Sequence, residues 1–180
     1  ARQMACLDMP TGEQADLGES EAPDPVLELV DFYARNLAVP ARRKARDPEV
    51  LAGKALFSSL GCNTCHNPKF VTSRHAQQEE HRFQLIWPYS DLLLHDMGEG
   101  LADNRPAGTA TGREWRTPPL WGIGLTRLVG GREAYLHDGR ARTLEEAILW
   151  HGGEGQAARD GYAALIREDR ERLLRFLGSL

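Results

Sequence analysis

The chain has 180 residues, of which 41% are apolar, and carries a formal net charge of −4 at pH 7. This length and composition fit one domain with its own hydrophobic core, or slightly more than one. The negative charge argues against general nucleic-acid binding. No apolar run approaches the roughly 20 residues that a membrane span needs, and no signal peptide is visible.

Glycine, proline and acidic residues dominate the start of the chain, which predicts a flexible tail over residues 1–23. Cys6 lies in this tail and is either half of a disulfide or a free thiol. A helical extension or linker is predicted over 24–46, where Asp24 can cap a helix and Pro40 ends it. The apolar positions of this helix share one face: Val26, Leu29, Val30, Tyr33 and Leu37.

A second helix is predicted from Asp47 and Pro48, which form a start signal, to about Leu60. Gly53 lies one turn before Phe57 in its apolar stripe, and the missing Cβ permits another helix to cross closely. The expected partner is the C-terminal helix. The buried side of that helix is predicted to contain Leu173, Leu174, Phe176, Leu177 and Leu180.

Cys62, Cys65 and His66 form a Cys-x-x-Cys-His sequence directly after the second helix. This is the attachment signature of a c-type haem. The two thiols can bind the vinyl groups on one edge of the macrocycle, and the adjacent imidazole can bind the iron as proximal ligand. The sequence therefore predicts one covalent haem c at Cys62 and Cys65 with His66 on the iron. Because haem c is assembled outside the bacterial cytoplasm, we expect a periplasmic protein.

Two other kinds of site use a Cys-x-x-Cys pair. A zinc ion could take Cys62, Cys65 and two histidines, but the only other cysteine, Cys6, lies far upstream. A thioredoxin-like redox pair would need a βαβ context, which the surrounding sequence does not provide. Haem c is therefore the favoured interpretation.

The stretch after the motif changes character along its length. Residues 67–87 are polar and predict an irregular surface loop. In residues 88–98, Ser90 can cap a helical turn, and Met97 follows three leucines. Those leucines, which can face an apolar ring, are Leu92, Leu93 and Leu94.

The last third of the chain is predicted to be helical. Thr143 and Glu146 form a capping box that opens a helix through about His151. A short helix over 156–166 and the terminal helix follow. A helix before a haem motif that crosses a C-terminal helix is the core of the cytochrome c fold. We therefore predict an all-α, cytochrome c-like single-haem domain over 47–180, with long loops and an N-terminal helical extension.

Several stretches of the chain are distinctive when they are taken together. They are VDFY at 30–33 with LAVP at 37–40, GCNTCH at 61–66, YSDLLLHDMG at 89–98, GREWRTPPL at 112–120, and YLHDGR at 135–140 with TLEEA at 143–147. Together they resemble the C-terminal portion of the bacterial di-haem oxidoreductases, also called thiol oxidoreductases, which are relatives of di-haem cytochrome c peroxidases. Family members carry two Cys-x-x-Cys-His motifs, whereas this sequence has one. The resemblance implies an electron-transfer domain whose partner is a redox protein or a second haem domain.

The distal iron ligand decides what such a haem can do. Peroxidase relatives place a ligand a few residues before their version of RTPPL, but here residues 113–115 offer none. Met97 is the only methionine outside the polar tail and is the predicted distal ligand, with ordinary core packing as the other interpretation. His95 is the alternative ligand. His137 and His151 are interpreted as structural histidines or neighbours of the haem edge.

Axial ligation separates two functions. If both axial positions are filled, the haem relays single electrons and has no catalytic residues around it. If the distal side is open, the haem binds peroxide or a small ligand as a peroxidase-type domain. Ligation by His66 and Met97 predicts the first, an electron-transfer domain of a di-haem oxidoreductase.

Overall fold

The computed structural model describes residues 5, 8–10, 12 and 21–180, so most of the predicted tail, with Cys6, lies outside the described residues. The chain divides into two compact units, Ala1–Val39 and Pro40–Leu180. The predicted domain boundaries, after residues 23 and 46, stay predictions. Within the described part of the chain, no helix is long and apolar enough to cross a membrane.

Helix α1 of the first unit spans Asp24–Arg35. The predicted cap is wrong by one position, because Asp24 is the first helical residue and Pro23 precedes it without a capping side chain. The helix ends well before Pro40, since Asn36 closes it by hydrogen bonding to carbonyls of the last turn. None of the helical residues is buried.

The second unit is mainly helical with two short antiparallel β-ladders. Its helices are α2 (Pro48–Ser59), α3 (Thr126–Gly130), α4 (Leu144–Leu149), α5 (Gln156–Ala164) and α6 (Arg167–Leu177). Its strands are β1 (Phe70–Val71), which pairs with β2 (Leu85–Ile86), and β3 (Leu94–Asp96), which pairs with β4 (Glu114–Arg116). The predicted all-α class is therefore confirmed only in part, because helices dominate the regular secondary structure but two β-ladders are also present.

The strands occupy segments for which the sequence predicts a loop and a helical turn. Ser90 does not start a helix: its hydroxyl accepts a hydrogen bond from the N–H of Leu92 and donates one to the carbonyl of Thr117, at 2.9 and 2.7 Å. The hydrogen bond from Ser90 to Thr117 connects this segment to the residues that follow β4. The leucines at positions 92–94 are each more than half exposed. The predicted apolar wall of leucines against the haem is therefore wrong.

Helix α2 begins and ends as predicted. The Asp47 carboxylate accepts hydrogen bonds from the N–H groups of Glu49 and Val50, which satisfies the free donors of the first turn. The helix ends at Ser59, and Gly61 has a φ of +80°, a conformation that glycine adopts without strain. The predicted stripe is Val50, Gly53, Phe57 and Leu60, and its first three residues are the buried residues of this helix, whereas Leu60 is only partly buried.

The predicted crossing of α2 and α6 at Gly53 is confirmed. A Cβ at this position would overlap the carbonyl oxygen of Arg172 and lie 2.9 Å from the Cβ of Phe176. The Phe57 and Phe176 rings pack next to this contact, with their centres 5.2 Å apart. The core around the crossing consists of Val50, Phe57, Tyr89, Leu120, Tyr162, Leu173, Phe176, Leu177 and Leu180.

Helix α4 has half of the predicted capping box. The Thr143 hydroxyl accepts a hydrogen bond from the N–H of Glu146 at 3.0 Å. The Glu146 carboxylate accepts one from the N–H of Arg142 rather than from Thr143. Helices α4 and α5 each end two residues before the predicted position.

Gly53→Ala is expected to lower the free energy of unfolding by about 1–3 kcal/mol, because the added methyl group cannot fit against the backbone of α6. Gly130→Ala is the matched control, since a Cβ there has no neighbour within 4 Å. The control should leave stability unchanged or raise it by about 0.4–1 kcal/mol. Urea unfolding followed by circular dichroism measures both. An equal effect of the two substitutions would contradict the crossing.

Candidate haem site

The Cys-x-x-Cys-His motif forms a tight turn at the end of α2. Cys62–Thr64 is a 3₁₀ turn, and the N–H of His66 donates a hydrogen bond to the carbonyl of Cys62 at 3.0 Å. Cys62 and Cys65 are both free thiols and are partly buried. The turn directs both thiols and the His66 imidazole into one cavity.

This cavity has a volume of about 450 Å³ and lies between α2, the Cys-x-x-Cys-His turn, the β3–β4 ladder and helices α4 to α6. A volume of this size is typical of a cofactor pocket. Its apolar lining includes Phe57, Leu60, Leu120, Ile123, Leu144, Ile148, Leu173 and Leu177. The cavity therefore offers apolar surroundings to a flat apolar group, with thiols on one wall.

His66 is held as a neutral imidazole. Its Nδ1 lies 3.0 Å from the carbonyl oxygen of Tyr89. Because a carbonyl can only accept, Nδ1 carries the proton and Nε2 keeps a free lone pair. Burial lowers the pKa of His66 to about 4, so the ring stays neutral at neutral pH. A neutral imidazole with an oriented Nδ1–H is what a metal ion needs from a histidine ligand.

The backbone of Tyr89 is in an unusual conformation that presents this carbonyl. Its φ is +52°, in the left-handed region that is unfavourable for a bulky residue. Tyr89 is only 2% exposed, and its ring packs against Phe57 and Phe176. Packing therefore holds a conformation that the local sequence disfavours, as is common next to functional sites.

Burial changes the acidity of the two thiols of the motif. Burial raises the pKa of Cys62 to about 11 and also raises the pKa of Cys65. Both thiols are therefore protonated at neutral pH until a group binds them. Among the described residues, the one group of side chains with metal-ligand spacing consists of Cys65, Asp91 and His95, without Cys62.

His95 has no free nitrogen for an iron ion. Its Nε2 lies 2.8 Å from a carboxylate oxygen of Asp91, and its Nδ1 lies 2.8 Å from one of Glu154. The hydrogen bond to Glu154, followed by that to Asp91, raises the pKa of His95, so the two carboxylates favour the protonated ring that donates from both nitrogens. Because the two carboxylates lie at different ring nitrogens, a single metal ion could not bind His95 and both carboxylates at once.

Met97 lies in the cavity wall directly after β3. Its N–H donates a hydrogen bond to the carbonyl of Arg113, which fixes the backbone beside the β3–β4 ladder. A Cβ at Gly155 would lie 3.3 Å from the Met97 methyl group and 3.2 Å from Cδ2 of His151. Met97 and His151 therefore lie next to one another across a glycine.

His151 is a second buried imidazole that faces the same cavity. Its Nδ1 lies 2.8 Å from the carbonyl oxygen of Ala147, and burial lowers its pKa. Its ring centre is 6.5 Å from that of His66, with 53° between the ring planes. Among the described residues no group hydrogen bonds to Nε2 of either ring. The sequence contains a local signal for this hydrogen bond. A histidine that lies directly after a capped helix and before two glycines, Gly152 and Gly153, can donate its Nδ1–H to a carbonyl of that helix.

A flat aromatic pair completes another part of the wall. The rings of Trp115 and His137 stack with their centres 4.6 Å apart and 18° between their planes. The indole N–H of Trp115 donates to the carbonyl of Leu101 at 3.0 Å. Arg116 also lines the cavity, and in the described part of the chain it forms no ion pair. An anionic group in the cavity would therefore find an available guanidinium.

Comparisons with known proteins identify a family for this chain and a solved structure with a similar fold. A family model described as "Di-haem oxidoreductase, putative peroxidase" matches residues 5–180. The search of curated proteins finds no match. Among solved structures, hydrazine synthase of Kuenenia stuttgartiensis under xenon pressure aligns with a TM-score of 0.54 and 20% identity. The alignment covers 88% of this chain and 56% of that chain, and at this identity it concerns the fold alone. Because the family model spans nearly the entire sequence, this chain belongs to the di-haem oxidoreductase family.

Proposed function

We propose that the second unit is a cytochrome c-like domain that binds one haem c and relays single electrons. The observation that carries the proposal is the buried, neutral His66, whose unbonded Nε2 faces an apolar cavity lined by both thiols of the motif. When bound, the haem supplies an iron that alternates between its ferric and ferrous states. The crossing of α2 and α6 beside the motif supports the cytochrome c-like assignment.

The residues present fit the group that the motif implies. Cys62 and Cys65 would form the thioethers, and His66 would bind the iron, with the Tyr89 carbonyl fixing its orientation and raising its basicity. Arg116 would neutralise a carboxylate of the haem edge, a role that suits a guanidinium. The apolar lining would exclude water from the iron and thereby adjust its potential.

His151 is the residue that the geometry favours for the sixth position. Two imidazoles that bind one metal ion from opposite sides, each through a bond of about 2 Å, have ring centres roughly 6 Å apart. The rings of His66 and His151 are 6.5 Å apart, and both keep Nε2 free. Met97, which the sequence predicts as the ligand, stays a prediction, and its position beside His151 makes it the direct competitor.

The same geometry favours relay over peroxide chemistry. A peroxidase-type site needs an open iron position for its substrate, whereas His151 and Met97 both line the cavity and either of them could occupy that position. Filled axial positions leave the iron able to gain and lose electrons without binding a substrate. The electrons would be exchanged with a redox protein or with a second haem domain, as the di-haem family suggests. Because haem c is assembled outside the bacterial cytoplasm, the proposal includes a periplasmic location.

Covalent attachment can be tested by the mass of the denatured protein. The chain expressed with a haem c maturation system should carry one haem, and the double variant Cys62→Ala/Cys65→Ala should carry none. Reduced pyridine haemochrome spectra give the same count independently. An apo mass with bound zinc would show that the motif is a metal site instead.

The sixth ligand is tested by two substitutions, His151→Ala and Met97→Ala. We expect His151→Ala to give a high-spin ferric spectrum, because the sixth position loses its ligand, while Met97→Ala stays low-spin. The parent protein should also lack the near-infrared band of methionine-ligated ferric haem. A low-spin His151→Ala variant together with a high-spin Met97→Ala variant would instead establish Met97 as the ligand. A high-spin parent that turns over peroxide would refute the relay.

A further inference from the structure

An exposed tryptophan between two lysines forms a distinct surface on the second unit. The ammonium groups of Lys54 and Lys69 lie 5.7 and 5.8 Å from the centre of the Trp87 ring. The Trp87 side chain is nevertheless 44% exposed. Cation–π attraction from both lysines therefore favours this position of the large aromatic ring at the surface.

The β1–β2 ladder extends this surface with apolar side chains. Val71 and Leu85 are opposite one another in the ladder and are 62% and 56% exposed. If the same register is continued by one residue beyond each strand, Lys69 lies opposite Trp87, in agreement with the contact between the two side chains. Alternate residues share one side of a ladder, so these four side chains lie on one face. We call Lys54, Lys69, Val71, Leu85 and Trp87 the Trp87 face.

The Trp87 face adjoins the segments that hold the proximal histidine. Lys69 follows His66 by three residues, and Trp87 precedes Tyr89, the acceptor of the His66 hydrogen bond, by two. A protein bound at this face would therefore lie close to the Cys-x-x-Cys-His turn.

The charge of the face indicates the kind of partner. The chain is acidic overall, and 19 of its 22 basic residues are arginine, yet two of its three lysines belong to this face. Among the described residues, neither lysine forms an ion pair with a carboxylate. Unpaired cations around an apolar anchor are complementary to an acidic surface with an apolar centre.

We infer that the Trp87 face is the docking surface for an acidic protein that carries single electrons. This inference rests on the proposed relay function and names its partner class. In each encounter the reduced carrier loses one electron and the haem-bearing domain gains one. The face is small, as is typical of transient redox complexes, so attraction between charges would mainly raise the association rate.

Stopped-flow reduction of the full chain by reduced flavodoxin, a small acidic one-electron carrier, tests the inference. At low ionic strength, Lys54→Glu/Lys69→Glu should lower the second-order rate constant about tenfold or more, and high salt should remove the difference. Trp87→Ala should also lower the rate constant, but the dependence of the rate constant on ionic strength should remain that of the parent protein. Reduction by hexaammineruthenium(II), a small cation, should become faster in the double variant, because the face then attracts the cation instead of repelling it.

Arg127→Glu/Arg132→Glu is the matched control, since it reverses two charges beside the exposed Leu128 and Val129 on another surface. An equal loss in this control, or no loss in the lysine variant, would overturn the inference. NMR titration with oxidised flavodoxin measures docking without electron transfer, so its result does not depend on the proposed function. Sedimentation velocity is the last check, because self-association that only the lysine variant abolishes would assign the face to a second copy and overturn the inference.

Discussion

The backbone contact between α2 and α6 at Gly53 determines where the haem motif lies. Because no side chain separates the two helices there, Phe57, one turn later, packs on Phe176 at 5.2 Å and on Tyr89 at 6.1 Å. The same ring lies 6.2 Å from His66. Helix crossing, aromatic packing and the position of the proximal imidazole are therefore one connected arrangement. A side chain at Gly53 would disturb the site as well as the core.

Three histidines around the cavity differ in chemistry because their hydrogen-bond acceptors differ. His66 and His151 each donate Nδ1–H to a backbone carbonyl, and burial keeps both neutral with Nε2 free. Both ring nitrogens of His95 instead lie 2.8 Å from carboxylate oxygens, which raise its pKa and favour its protonated form. Two imidazoles are thus available to a metal, and the third is an ionic link between β3 and the segment after α4.

The sequence predicted those parts of the structure whose signals are local. The Cys-x-x-Cys-His motif, the Asp47 cap and the Gly53 stripe each depend on residues within a few turns, and the structure places all of them together. The β3–β4 ladder was missed because its pairs join residues 94–96 to 114–116, a register that no local pattern encodes. His151 was interpreted as structural because its distance from His66 exists only in the folded chain.

Pulsed electron paramagnetic resonance of the ferric protein, grown with ¹⁵N-labelled histidine, measures directly how many imidazoles bind the iron. If His66 and His151 are the two axial ligands, the low-spin signal carries nitrogen couplings from two imidazoles. A single imidazole coupling in a low-spin signal would assign the sixth position to Met97. A high-spin signal would show an open iron position and would contradict the electron relay itself.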